Sequence, residues 1–152
     1  MLKLFKMIKK RRFVVIGEGN AFFQPAYVDD VVAGFLLCLE KEEAIGEPFI
    51  IGGDEYVPLR ELIALIAGEF GVDPPGLRIP MAPMKWGATL CEAIFPPLGI
   101  EPPLHHRRLS FFRNNRAFDV GKAKELLGFE PQVSLREGLR RTAHWDEEHG
   151  WL

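Results

Sequence analysis

The sequence predicts an α/β protein, α+β when taken in isolation: mostly helical, with a few short strands. Three observations carry this. From Pro58 to Phe70, apolar residues recur at Leu59, Leu62, Ile63, Ile66, Ala67 and Phe70, the i, i+3, i+4, i+7 spacing of an amphipathic helix. Two more helical patterns close the chain, each with start and stop signals. Against these stand only short runs of strand-forming residues, chiefly Phe13–Ile16 and Phe49–Ile51.

Taken in order, "MLKLFKMIKKRR" places Lys3, Lys6, Lys9, Lys10, Arg11 and Arg12 among Leu2, Leu4, Phe5 and Ile8. A helix here is amphipathic and basic toward its C-terminal end, where cations suit the helix dipole. Lysines interrupt every apolar run before a signal-peptide core can form, and no stretch approaches the roughly 18 apolar residues of a membrane span. The expectation is a cytoplasmic chain. With a formal net charge of −2 over 152 residues, nothing calls for a nucleic-acid partner. Cys38 and Cys91 form no C-x-x-C pair and read as reduced core thiols.

Phe13 to Ile16 reads as a strand meeting Gly17-Glu18-Gly19. A helix is expected from about Asp30 through "VVAGFLLCLEK" to Lys41, with Asp29 and Asp30 at the N-cap and first turn. Phe49-Ile50-Ile51, bounded by glycines, predicts a strand buried on both faces, which needs neighbours. Pro58 starts the most regular helix and Gly71 stops it. Eight of the twelve prolines lie between Pro74 and Pro103, as rigid connectors around a helix over Met84 to Phe95 and a possible short strand over Leu77 to Ile79. Asp119 is placed to cap "VGKAKELL", ended by Gly128 and Pro131. Ser134 with Glu137 predicts a capping box opening the last helix.

The glycines of "FVVIGEGNAFF" resemble a dinucleotide loop, but the third fingerprint position holds Phe22. Pro25 sits where the following helix should begin, and Asp29 and Asp30 come too soon for a ribose-binding acid. A tight turn is the expectation. Short-chain hydride transfer also needs a tyrosine with a lysine four residues later, whose charge lowers the phenol's pKa. Tyr27 and Tyr56 are followed at i+4 by Val31 and Arg60. No catalytic, cofactor-binding or metal-ligating set is therefore expected in this chain. His105 and His106 adjoin Arg107 and Arg108, and the i, i+5 spacing of His144 and His149 suits a metal poorly. One basic cluster, Arg107, Arg108, Arg113 and Arg116 interleaved with aromatics, could present guanidinium forks to a substrate anion if extended; the alternative is a solvated face.

The segments "QPAYVDDVVAGFLLCLE", "GEPFIIGGDEYVPLRELIALIAGEFG" and "DVGKAKELLGFEPQVSLREGLRRTAHW" occur in the order found in the extended short-chain dehydrogenases, the NAD-dependent epimerase/dehydratase superfamily. The whole chain, residues 1 to 152, resembles their C-terminal, substrate-binding half. The resemblance implies a mostly helical lobe of a Rossmann-type enzyme with no complete nucleotide-binding sheet. It also implies that the cofactor domain, with its glycine loop and Tyr-x-x-x-Lys pair, lies in an absent N-terminal half that binds NAD or NADP. Sugar-nucleotide members usually carry an arginine four residues before the "YVDD" tyrosine; Phe23 stands there in this chain. "GNAFFQPAYVDD" and "RAFDVGKAKELLGFEP" look closer to the 3β-hydroxysteroid dehydrogenase and dihydroflavonol reductase branch, whose substrates are more apolar.

That resemblance implies a substrate wall of Phe22, Phe23 and Gln24, facing an apolar cyclic alcohol or ketone, with a sugar nucleotide as the alternative. The chain would be one substrate-binding domain of an oxidoreductase or epimerase, unable to transfer hydride alone. A non-catalytic binding or assembly subunit on the same fold is the second reading. Because Phe49–Ile51 needs neighbours, its sheet is expected to be completed by the missing half or by a homo-oligomer.

Overall fold

The computed structural model describes residues 1–96, 99, 104 and 106–152, and of Arg108 only the backbone. The chain divides into two compact units, one over Lys3–Ala21 and Pro58–Asn115, the other over Phe22–Val57 and Arg116–Leu152. Seven α-helices and four two-residue strands are found among the described residues.

The first unit opens with α1 (Leu2–Lys9), which buries Phe5 and Ile8 and carries Lys6 and Lys9 in its last turn, as the charge pattern predicts. The Phe5 ring meets Phe70 edge to face at 5.9 Å. Strand β1 (Val15–Ile16) pairs in parallel with β4 (Arg78–Ile79), Val15 opposite Arg78. A parallel pair needs a long crossover, and here it runs through α3 (Leu59–Glu69). Leu59, Leu62, Ile63, Ile66 and Ala67 are buried on α3, the face its periodicity marks out. Pro58 occupies the N-cap, one place before the position expected, and Gly71 ends the helix at φ +60°.

Helix α4 (Met81–Ile94) starts three residues before the expected Met84, with Pro83 in its first turn, where a missing N–H costs nothing. Met81, Met84, Ala88 and Leu109 pack around Ile16 together with Leu104 and Phe112. Arg107 to Arg113, considered as an extended segment in the sequence, instead lies within helix α5 (His106–Arg113). A helix beginning with basic residues opposes the dipole. Glu92 on α4 offsets this by accepting the His106 backbone N–H at 2.8 Å, with its other oxygen 2.8 Å from His106 Nδ1.

The second unit holds β2 (Phe22–Phe23), α2 (Val28–Glu40), the first residue of β3 (Val57–Pro58), α6 (Gly121–Leu127) and α7 (Leu135–Glu148). Ala123, Leu127 and Phe129 form its core, with Leu37, Cys38, Ala44, Phe49 and Ile51 packed against them. Helix α2 begins two residues before Asp30, with Tyr27 at the N-cap, so Asp29 and Asp30 both fall in the first turn. Segment 49–51 is not a strand buried on both faces: it has no regular secondary structure, with Phe49 and Ile51 packed against the core and Ile50 exposed. None of its three backbones is hydrogen-bonded among the described residues, so no ladder forms.

Asp119 Oδ1 accepts the Gly121 N–H at 2.8 Å, but Val120 is the α6 N-cap. Gly128 closes α6 at φ +62°, with Phe129 N–H donating to Ala123 O at 3.2 Å, the Schellman arrangement. At α7, Ser134 Oγ accepts the Glu137 N–H at 3.3 Å. The return half of the expected capping box is replaced, because Glu137 Oε2 takes Arg140 Nε at 2.8 Å and Glu137 Oε1 takes Arg141 Nε at 2.7 Å.

Candidate functional site

Of the residues chosen from sequence, the second unit brings together Phe22, Phe23, Gln24 and Arg116. Arg116 donates its backbone N–H to Phe22 O at 2.7 Å and accepts the Gln24 N–H at 3.1 Å, forming a parallel bridge to Phe23. Its guanidinium carbon lies 5.0 Å above the Phe23 ring centroid, a cation–π distance. Phe23 is buried; Phe22 is 38% exposed and meets Tyr56 edge to face at 5.5 Å. The result is an aromatic edge open to solvent and held by main-chain bonds.

Gln24 clamps that edge. Its Nε2 donates to Gly53 O at 2.6 Å and its Oε1 accepts the Phe118 N–H at 2.7 Å, so both ends of the amide are engaged. At Gly52 a Cβ would stand 3.3 Å from Val120 Cγ1 and in ordinary contact, 3.6 Å, with Gln24 Nε2.

A cavity of about 370 Å³ in the same unit is lined by Pro25, Gly53, Asp54, Glu55 and the run from Pro131 to Leu135. Its walls are tied to distant elements. Buried Asp30 accepts the Gln132 and Val133 N–H groups at 2.9 and 3.2 Å, and Glu55 Oε1 accepts the Leu135 N–H at 2.9 Å. Asp54 pairs with Lys124 at 2.5 Å. Sequence reasoning placed Asp30 on the helix end and left its carboxylate's partners, 102 and 103 residues away, unforeseen.

Arg107 and Arg113 belong to the first unit, both exposed on α5; the Arg108 side chain and His105 lie outside the described residues. Arg113 borders a cavity of about 410 Å³ together with Gly17 to Ala21, Met81, Phe112 and Asn115. Gly17 and Gly19 have φ of +77° and +69°, a tight turn as expected. Part of the turn's main chain is engaged within the first unit. Gly17 N–H donates to Ile79 O at 2.8 Å, Gly19 O accepts the Arg60 N–H at 3.0 Å, and Ala21 O accepts the Leu59 N–H at 2.8 Å. Leu59 and Arg60 open α3, so this loop offers carbonyl oxygens to a helix N-terminus that a phosphate loop leaves free for its ligand.

Among the described residues, no group of three His, Cys, Asp or Glu side chains could hold a metal, and no helix is long and apolar enough to cross a membrane. His106 pairs with Glu92, and His144 with Glu148 at 3.2 Å. The Glu137 carboxyl is lowered to about 2, chiefly by its hydrogen bond from Arg140 and then by that from Arg141. Arg141 in turn is raised by Glu137 and sits 5.5 Å over the Tyr27 ring. These are surface ion pairs, not an acid–base pair in a cleft.

The chain is a mostly helical α/β protein with short strands, and the comparisons with known proteins place it with Rossmann-type enzymes matched over part of their length. No family model matches. The chain is 31% identical over 146 residues to 3beta-hydroxysteroid-dehydrogenase/decarboxylase isoform 1 of Arabidopsis thaliana, covering 88% of this chain and 33% of that protein. Among solved structures, gox2253 matches 99% of this chain and 44% of its own at TM-score 0.76 and 25% identity. UDP-glucose 4-epimerase of Thermotoga maritima, solved with UDP-glucose, matches 97% and 38% at TM-score 0.66 and 26% identity. This chain belongs to the NAD-dependent epimerase/dehydratase superfamily of extended short-chain dehydrogenases. It spans less than half the length of these relatives.

Proposed function

We propose that the chain is the substrate-binding, C-terminal domain of an NAD(P)-dependent oxidoreductase or epimerase, and that it does not transfer hydride alone. One observation carries the reading: the chain matches dehydrogenases and epimerases along nearly its whole length, yet the carbonyls of its Gly17–Ala21 turn go to the start of α3. NAD or NADP then binds to the remaining length that the relatives possess. Phe22, Phe23 and Arg116 form the substrate edge, Gln24 fixes its position, and Arg107, Arg108 and Arg113 are candidate contacts for a substrate anion. An apolar cyclic alcohol or ketone suits an edge made by Phe22 and Tyr56, and the steroid-type relative supports that class over a sugar nucleotide.

The test is paired calorimetric titration of the purified chain with NAD and NADP, followed by NMR titration with a cyclic alcohol and with UDP-glucose. No micromolar cofactor binding is expected, and the cyclic alcohol should shift Phe22 and Tyr56 resonances. Micromolar NAD binding by the isolated chain refutes the domain reading. Shifts with UDP-glucose alone refute the apolar substrate.

A further inference from the structure

Helices α4 and α5 border two adjoining cavities in the first unit. One, of about 60 Å³, is lined by Met81, Lys85, His106, Leu109, Ser110 and Arg113. The other, of about 500 Å³, shares Met81 and Lys85 with it and runs on along Ala82, Trp86 and Thr89. That volume lies within the roughly 300–1,000 Å³ of small-molecule sites. The floor between the two is fixed, because Leu109 is buried and Met81 packs with it around Ile16 and Ala88.

The small cavity is cationic and lacks a counter-ion. His106 is engaged by Glu92, 2.8 Å from its Nδ1, and the Ser110 hydroxyl donates to Arg107 O at 2.7 Å. Lys85 Nζ meets no hydrogen-bonding or charged partner among the described residues, and Arg113 reaches only the Asn114 side-chain oxygen, at 3.4 Å. No carboxylate lines the space that both cations border, so nothing there offsets their repulsion. The larger cavity has the opposite character. Ala82, Trp86 and Leu90 follow one another at four-residue intervals on one stripe of α4. Trp86 is 79% exposed and Leu90 61%. A charged recess at one end of an apolar helix stripe matches a ligand with an anionic head and an apolar tail.

We infer that these cavities bind a long-chain carboxylic acid, with Lys85 and Arg113 holding the carboxylate and Met81, Ala82 and Trp86 taking the alkyl chain. The guanidinium fork matches the two carboxylate oxygens and the ammonium adds a point charge beside them. The small cavity takes a head group of a few atoms, which favours a carboxylate over a phospholipid head group. The inference stands apart from the oxidoreductase reading: binding alone defines it, and only Arg113 is common to both.

The test is titration of the purified chain with decanoate, read at the Trp86 indole N–H by nitrogen-15 NMR and assigned by its loss in Trp86→Phe. A saturable shift is expected, with a dissociation constant below about 1 mM. Acetate, which has the head without the tail, and decanol, which has the tail without the charge, should each bind at least about tenfold more weakly. Lys85→Gln and Arg113→Gln should each weaken decanoate about threefold, as exposed cations do, and Lys85→Arg should keep the parent affinity. Trp86→Ala should weaken it about fivefold. These side chains are exposed, so circular dichroism of each variant should match the parent. The absence of a saturable Trp86 shift, decanol binding as tightly as decanoate, decyl phosphate binding more tightly than decanoate, or shifts centred on Trp145 and Trp151 instead overturns the inference.

Discussion

Replacing Asp30 by alanine tests how the second unit holds its cavity wall. The side chain is 3% exposed, and its two oxygens accept the Gln132 and Val133 N–H groups at 2.9 and 3.2 Å. A hydrogen bond to a charged group contributes about 1.5–3 kcal/mol, and the longer bond belongs at the lower end. An acid in the first turn of a helix adds about 0.3–1 kcal/mol. Asp30→Ala should therefore cost about 3–5 kcal/mol, and Asp30→Asn, which keeps one acceptor oxygen, about half of that. Asp29 is the internal control, being exposed in the same helical turn, so Asp29→Ala should cost under about 1 kcal/mol. Urea unfolding followed by far-ultraviolet circular dichroism measures all three, with the slope checked for constancy. If Asp30→Ala and Asp29→Ala agree within about 0.5 kcal/mol, the carboxylate does not hold the 132–133 loop and the reasoning fails.

Two further outcomes are expected. Gly19→Ala should destabilise the first unit by about 1–2 kcal/mol, because a non-glycine residue at positive φ is strained. Its Cβ would also stand 3.3 Å from both Arg60 Cβ and Arg60 N; thermal unfolding no different from the parent chain would show that the turn is not tied to α3. Carbon-13 NMR should place the Glu137 carboxyl titration near 2, with Arg140→Gln and Arg141→Gln together returning it toward 4.5. Since the folded value is depressed, the ion-pair contribution is present above about pH 4.5 and is lost as pH falls through about 2; a titration near 4.5 in the parent chain contradicts the pairing.

The elements legible in the sequence are those whose cause is local. Apolar spacing marks the α3 core face, Gly128 marks the end of α6, and Ser134 marks the start of α7, because a helix forms its bonds and caps within a few residues. What was illegible depends on partners far along the chain. Helix α5 begins against its own dipole, and the carboxylate that compensates, Glu92, lies 14 residues earlier on another helix. Segment 49–51 has strand composition without a strand, since a strand exists only when a second backbone supplies the ladder. The aromatic edge was readable as far as Phe22 and Phe23. Its support was not: Gln24 reaches Gly53 and Phe118, 29 and 94 residues on.

The glycine turn shows why the missing third glycine decides so much. In a dinucleotide loop the helix follows the turn at once, so its free N–H groups and the turn's own N–H groups converge on the phosphates. In "GEGNAFF" the chain goes on to β2, and the helix that meets the turn is α3, some forty residues later. Meeting a helix from outside reverses the polarity of the contact, because an N-terminus needs acceptors and the turn supplies Gly19 O and Ala21 O. The positive φ at Gly17 and Gly19 brings those carbonyls round, so the same two glycines that would shape a phosphate site here close one end of the first unit's main helix.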